Sequence, residues 1–198
     1  MDQRTEEWFQ ARLGKVTASG VSKVISKGAE RVNYMAQLVA ERLTKKPQEA
    51  FSNAAMQWGT EQEPFARAAY EAHRGVLVEE VGFIVHPTIQ DAGASPDGLV
   101  EDGMVEIKCP NTATMIDVLL TKKIDPKYIH QMQWQMACAQ RPWVDYVVFD
   151  PRLEKIGFFC QRVERNPSLI SEMEEAVKKF LTEVDEKVAK LEEMWQKP

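Results

Sequence analysis

The chain has 198 residues, of which 44% are hydrophobic and 28% charged, and it carries a net charge of −5 at neutral pH. These values suit one soluble globular domain that buries roughly 70% of its unfolded surface, and no apolar run approaches the roughly 18 residues of a membrane span. The acidic balance argues against a protein that coats duplex DNA through a generally basic face, but not against an enzyme that admits DNA into a locally basic groove. The stretch from Met1 to Glu7 is polar and lacks the apolar core of a secretory signal. Cys109, Cys138 and Cys160 are odd in number and widely spaced, so they read as reduced thiols, and a cytoplasmic setting is expected.

Taken in chain order, Thr5 can cap a short helix that places Trp8, Phe9 and Leu13 on one side and stops at Gly14. A second short helix is expected from Thr17 or Ser19 to Lys27-Gly28. Asn33 can cap a third, with Met35, Leu38, Val39 and Leu43 at helical spacing until Pro47. From Pro47 to Met56 a loop is expected, followed by a helix from Gly59 to Arg74 with Phe65, Ala69 and Ala72 inward and Gly75 as its stop. The period then changes. Val76-Leu77-Val78 and Phe83-Ile84-Val85 are β-type runs, and Ala92 to Lys108 reads as short strands joined by turns, with Asp102-Gly103 as a hairpin signal demanding positive φ.

Helical spacing returns over Thr112 to Lys122 and Pro126 to Gln140, and two strands follow at Val144 to Asp150 and Ile156 to Val163. The tail from Ser168 to Trp195 is a long amphipathic helix whose apolar stripe includes Ile170, Met173, Val177, Phe180, Val184, Leu191 and Met194. It is expected to pack on the core or on a neighbouring subunit; Lys187 interrupts the seam a coiled coil would need. There is no internal repeat, low-complexity tract or flexible linker, so residues 1–198 are expected to form one domain. The order of elements predicts an α/β fold with a mixed central β-sheet flanked by helices.

The chemistry concentrates in Ser95-Pro96-Asp97-Gly98-Leu99 and Val105-Glu106-Ile107-Lys108-Cys109-Pro110. A turn between them makes the two segments adjacent antiparallel strands and brings Asp97 near Glu106. Glu106 and Lys108 alternate onto one face, and Ile107 points into the core. Two like charges about 4 Å apart repel by about 4 kcal/mol at an effective dielectric of about 20, so this is a poor way to build stability. A divalent cation removes the repulsion, and Mg²⁺ favours one or two carboxylates plus waters and substrate phosphate. Lys108 is placed to hold the attacking water or to neutralise charge on the phosphoryl oxygens. A bare Glu-x-Lys is more often a hairpin with solvated charges. The turn and the flanking Pro-Asp-Gly and Lys-Cys-Pro weigh against that reading.

These residues match the signature of the PD-(D/E)xK nuclease superfamily, which implies a restriction-endonuclease-like core. More closely, the chain resembles the phage lambda exonuclease and YqaJ-type viral recombinase family. The resemblance is carried in order by Trp8 to Gly14 with Thr17-Ala18-Ser19, by Trp58 to Glu63, by Ala94 to Leu99, by Glu106 to Pro110 and by Tyr128 to Gln131. It implies that Asp97, Glu106 and the backbone carbonyl of Ile107 ligate Mg²⁺, two ions for which Mn²⁺ can substitute. It assigns Lys108 as the catalytic lysine and Glu63 as a helix-borne acid supporting the metal through water. Tyr128 and Gln131 match active-site residues, and Arg12, Ser19 and Ser95 match residues that grip a 5′-terminal phosphate.

The chemistry of that last set agrees, because a guanidinium forks onto phosphate oxygens and serine hydroxyls add short donors. The resemblance further implies 5′-to-3′ digestion of one strand of linear duplex DNA to leave 3′ overhangs. It implies a ring-shaped homotrimer, a single-strand annealing protein as partner, and a phage or prophage protein working in the cytoplasm of a bacterial host. The segment from Lys45 to Asn53 does not align, so no duplex contacts are assigned to it. Competing readings are a RecB-type or restriction-like endonuclease of the same superfamily, and a DNA-end-binding module without catalysis. Three scattered cysteines cannot hold the four-cysteine iron–sulfur cluster of many RecB-type enzymes. The intact Asp97, Glu106 and Lys108 argue against loss of catalysis.

Overall fold

The computed structural model describes residues 2–47 and 53–196. In chain order the elements are α1 (Glu6–Arg12), β1 (Val16–Thr17), α2 (Ala18–Ile25), α3 (Ala29–Thr44) and α4 (Ala54–Arg74), then β2 (Ile84–Val85), β3 (Ala92–Ala94), β4 (Gly98–Val100) and β5 (Gly103–Lys108). They continue with α5 (Thr112–Thr121), α6 (Pro126–Ala139), β6 (Trp143–Phe149), β7 (Phe158–Glu164) and α7 (Pro167–Gln196).

The larger sheet runs β4-β5-β6-β7, with β5 parallel to β6 and both outer pairs antiparallel. It is therefore mixed, and helices flank it as the order of elements predicted. On one face, Met104, Val144, Tyr146 and Val148 pack with Met115 of α5 and Met132 and Met136 of α6. On the other, Val105, Ile107, Trp143 and Val147 pack with Ala66 and Tyr70 of α4. A small second sheet, β1-β3-β2, joins the α1–α2 region to the segment that leads into Asp97.

α7 buries Ile170, Met173, Val177, Phe180, Leu181 and Val184 against α2, α3 and α6, while Leu191 and Met194 beyond them are exposed. Its first half is thus core helix. All three cysteines are free thiols. Among the described residues no helix is long and apolar enough to cross a membrane.

Several local expectations need correction. Thr5 caps α1 and Trp8 is buried, but Phe9 is exposed. Phe9 directly follows Trp8, about 100° around the helix, and its side chain falls on the outer side of the buried stripe. α3 begins a turn before Asn33, at a Gly28 cap. α4 starts at Ala54 from an Asn53 cap, five residues before the expected Gly59, so Pro64 lies well inside it. Residues 48–52 of the expected loop lie outside the described residues. The inward face of α4 is Ala66 and Tyr70, with Phe65 and Ala72 exposed.

The reason for that phase is a polar anchor. Tyr70 donates its hydroxyl to buried Asp145 on β6 at 2.9 Å, and Arg162 of β7 donates to the same carboxylate at 2.8 and 3.0 Å. Burial alone would raise Asp145, but these donors hold it below the ordinary carboxylate value. Val76 to Val78 forms no strand; the β-run there reduces to a single bridge between Glu79 and Leu99, and Phe83 stays outside β2.

The hairpin turn also sits one residue earlier than expected. Val100 pairs with Gly103, so the loop is Glu101-Asp102, and Glu101 rather than Gly103 takes positive φ (50°). Gly103 is required for a different reason: a Cβ there would lie 2.2 Å from the ring of buried Trp143. The indole N–H of Trp143 donates to Asp102 Oδ1 at 2.9 Å, closing the turn over the ring. Gly103→Ala is expected to lower the unfolding free energy by about 1–3 kcal/mol, measured by urea denaturation. An unchanged midpoint would show that the ring accommodates the methyl group.

Candidate active site

The geometry of the site follows from where β4 begins. Gly98 pairs with Val105, and one step further along this antiparallel register Asp97 faces Glu106. Among the described residues no strand pairs with the last half of β5 on that side. Instead Asp97 Oδ2 accepts the Ile107 N–H at 2.7 Å. A strand residue directs its N–H and C=O to the same edge, so the Ile107 carbonyl faces the Asp97 side too. The Ile107 side chain goes to the α4 face of the sheet, as alternation predicted.

Glu106 is buried at 1% exposure, on the face covered by α6. Its Oε1 accepts from Lys108 Nζ at 2.5 Å and from Gln131 Nε2 at 2.6 Å, and its Oε2 accepts from Gln135 Nε2 at 2.6 Å. Lys108 also lies over the ring of Tyr128, 4.9 Å from the centroid. Tyr128 therefore meets the lysine rather than the carboxylate. Tyr128, Gln131 and Gln135 are spaced to share one helix face, which lays a polar stripe along α6.

The electrostatics are those of a crowded acidic site. Burial first, then the charge of Glu106 and more weakly Glu63, push Asp97 well above its ordinary value of 3.8, against the pull of Lys108 and the Ile107 N–H. For Lys108, burial alone would lower the pKa, but Glu106 and Asp97 together raise it, so it stays an ammonium. Cys109 is pushed up to about 12 by burial and by Glu63 and Asp97. The acidic field thus reaches across both faces of β5.

Glu63 comes from α4, on the opposite face of the sheet. It does not touch Asp97 or Glu106; its carboxylate is taken by Arg4 at 2.5 Å and Arg67 at 2.9 Å. Among the described residues no group of three or more His, Cys, Asp and Glu is placed to hold one ion. The donors that do converge are Asp97, Glu106 and a backbone carbonyl. They are hard oxygens that repel one another without a cation, and the set fits Mg²⁺.

Arg12 and Ser95 are joined through Trp8, whereas Ser19 is tied to them only by the pairing of β1 with β3. The Arg12 guanidinium lies 3.7 Å over the Trp8 ring, and the Trp8 indole N–H donates to Ser95 Oγ at 2.9 Å. The exposed Ser19 follows β1, which pairs in parallel with β3 just before Ser95, and its hydroxyl is 3.3 Å from Thr17 Oγ1. Arg12 opens onto a cavity of about 200 Å³ shared with Lys15 and Thr17. Burial lowers its pKa to about 10, against the pull of Tyr34 and Glu41, which leaves it charged at neutral pH.

Four residues of the site were not anticipated. Gln135 was signalled by its spacing of four from Gln131. Arg4, Arg67 and Gln3 had no comparable signal. Gln3 donates to the carbonyls of Val81 and Pro96 at 2.9 and 2.8 Å, pinning the start of the chain beside Asp97.

Residues 7–142 match the model of the YqaJ-like viral recombinase domain. The chain belongs to that family. A solved alkaline exonuclease from Laribacter hongkongensis, LHK-Exo, is 53% identical, with a TM-score of 0.94 over 98% of this chain and 99% of that one. The complex of LHK-Exo with dAMP matches equally, at 53% identity and a TM-score of 0.94. A phage-related exonuclease from Haemophilus somnus is 17% identical at a TM-score of 0.72, over 89% of this chain and 96% of that one, and shares the fold. Among curated proteins there is no significant match. The fold is of the PD-(D/E)xK type.

A buried carboxyl whose folded pKa is raised favours folding at low pH, and that contribution is lost as pH rises toward the folded value. In EDTA at pH 8, Asp97→Asn is therefore expected to stabilise the protein by about 1 kcal/mol, a rise of about 2–4 °C in melting temperature. The gain should shrink as pH falls toward 3.8, the ordinary Asp97 value. A lower melting temperature at pH 8 would contradict the proposed repulsion.

Proposed function

We propose that this protein is a Mg²⁺-dependent exonuclease that digests one strand of linear double-stranded DNA from 5′ to 3′ and leaves 3′ overhangs for recombination by single-strand annealing. The observation that carries the reading is the convergence of Asp97, Glu106, Lys108 and the Ile107 backbone at the uncovered edge of β5. Membership of the viral recombinase family and the 53% identity to an alkaline exonuclease support it. That relative was solved with dAMP, the mononucleotide that hydrolysis at a deoxyadenosine end releases.

In this reading Asp97, Glu106 and the Ile107 carbonyl hold the metal, and Glu63 supports it through water once it turns from Arg4 or Arg67. Bound Mg²⁺, as two ions or with Mn²⁺ in its place, would lower the pKa of a water and offset charge on the scissile phosphate. Lys108 contributes as a fixed positive charge. Its raised pKa makes it a poor base at neutral pH, so its role is to stabilise charge developing on the phosphoryl oxygens. Gln131 and Tyr128 hold the carboxylate and the lysine in place.

On the far side of Pro96, Arg12 would bind the 5′-terminal phosphate as a charged fork, with the hydroxyls of Ser19 and Ser95 as further donors. Ser19 is the second residue of α2, where backbone N–H groups lack helical partners and favour an anion. The reading includes a ring homotrimer around the duplex and a single-strand annealing protein as partner, both resting on the family resemblance alone.

The deciding experiment is a linear duplex labelled at either end and digested with Mg²⁺, with EDTA as control and closed circles as competitor substrate. Release of mononucleotides from 5′ ends only is expected. Release from 3′ ends, or cutting of circles, would sink the polarity or the exonuclease reading respectively. Lys108→Ala should lower the rate by at least about 10²–10³-fold while DNA binding persists, by analogy with the loss of one charge-stabilising donor. Arg12→Ala should narrow the rate advantage of 5′-phosphorylated over 5′-hydroxyl ends; an unchanged ratio in end-resolved kinetics would detach Arg12 from phosphate capture.

A further inference from the structure

Gln135 is fully buried in the middle of α6, between Trp134 and Met136, which are buried as deeply. A side-chain amide in such a place normally has both ends partnered. Here only the Nε2 group is partnered, by Glu106 Oε2 at 2.6 Å, and Oε1 has no hydrogen-bond partner. The helix thus carries an incompletely satisfied polar group for the sake of one bond to one carboxylate oxygen.

The two oxygens of Glu106 are not equivalent. A carboxylate offers about four lone-pair sites, two on each oxygen. Lys108 and Gln131 fill those of Oε1, whereas Gln135 takes one on Oε2 and leaves the other available. Gln131 and Gln135 grip opposite oxygens from adjacent turns of one rigid helix, which prevents the carboxylate from rotating about its own axis. Both are neutral. They hold Glu106 without cancelling the charge a cation needs.

We infer that Gln135 is a positioning residue for the metal site: by holding Oε2 it sets the plane of the Glu106 carboxylate and presents the remaining Oε2 lone pair to a divalent ion. The inference rests on the metal-dependent reading above and adds to it the residue that aims the ligand. It acts through Glu106 and touches neither substrate nor ion.

The test is Mn²⁺ binding to the full-length, DNA-free protein, measured by titration calorimetry and by the paramagnetic resonance signal of free Mn²⁺. Gln135→Met keeps length and apolar contact but removes the donor; Gln135→Asn keeps an amide that no longer reaches. Partners that orient metal ligands typically contribute about 10–100-fold to affinity, and both variants are expected to bind Mn²⁺ at least about tenfold more weakly. In nuclease assays the half-saturating metal concentration should move by the same factor, with the KM for DNA within about twofold of wild type. The metal-free melting temperature reports folding, and one folded variant suffices. Wild-type affinity in either folded variant would overturn the role of Gln135 while leaving the metal reading intact. Failure of the wild-type protein to bind Mn²⁺ would overturn both.

Discussion

A carboxylate that is 1% exposed cannot be left to itself, and the arrangement around Glu106 follows from that constraint. An uncompensated buried charge costs several kcal/mol, so its oxygens must be met by donors of good geometry. One comes from the same strand two residues on, in Lys108, and two come from α6 through Gln131 and Gln135. These bonds fix how α6 lies on the sheet. They account for a polar stripe on a helix that also buries Met132, Trp134 and Met136. The packing of α6 and the shape of the acidic site are one problem with one solution.

The second element of that solution is an edge left open on purpose. β4 pairs with β5 only over Gly103 to Val105, and the rest of β5 offers its backbone to Asp97 instead of to another strand. Parallel pairing with β6 on the other side anchors the half of β5 that β4 leaves unpaired. A backbone carbonyl, a strand acid and a carboxylate from the neighbouring turn can meet only at such a half-covered edge. Burial and mutual repulsion raise Asp97, so without a cation the site is held in a strained electrostatic state.

The small sheet β1-β3-β2 ties a second group of polar residues to the acidic cluster. It lays the α1–α2 region against the chain just before Asp97, so the stack of Arg12 on Trp8 and the bond from Trp8 to Ser95 reach the acidic site along one short path. Gln3 and Arg4 extend the same idea from the start of the chain, one bonding to the Pro96 carbonyl and the other to Glu63. An acidic protein can therefore still present local positive charge, with Arg12 and Lys15 lining one cavity.

What sequence alone could determine was whatever depends on local geometry. Two-residue alternation put Glu106 and Lys108 on one face and Ile107 on the other, and Asp97 before a tight turn was bound to come back beside Glu106. Helical spacing revealed α5, α6 and the buried stripe of α7, because period and burial are tied within a single element. What it could not determine was which faces and ends meet. The phase of α4 is set by Tyr70 reaching Asp145, Gly103 is small because Trp143 lies against it, and the hairpin turn lies one residue from its expected position. Glu63 is held by Arg4, and Gln135 completes the grip on Glu106, through contacts between residues far apart in the chain. Such pairings are decided by how packed layers fit together, and that information resides in the tertiary structure rather than in any window of the sequence.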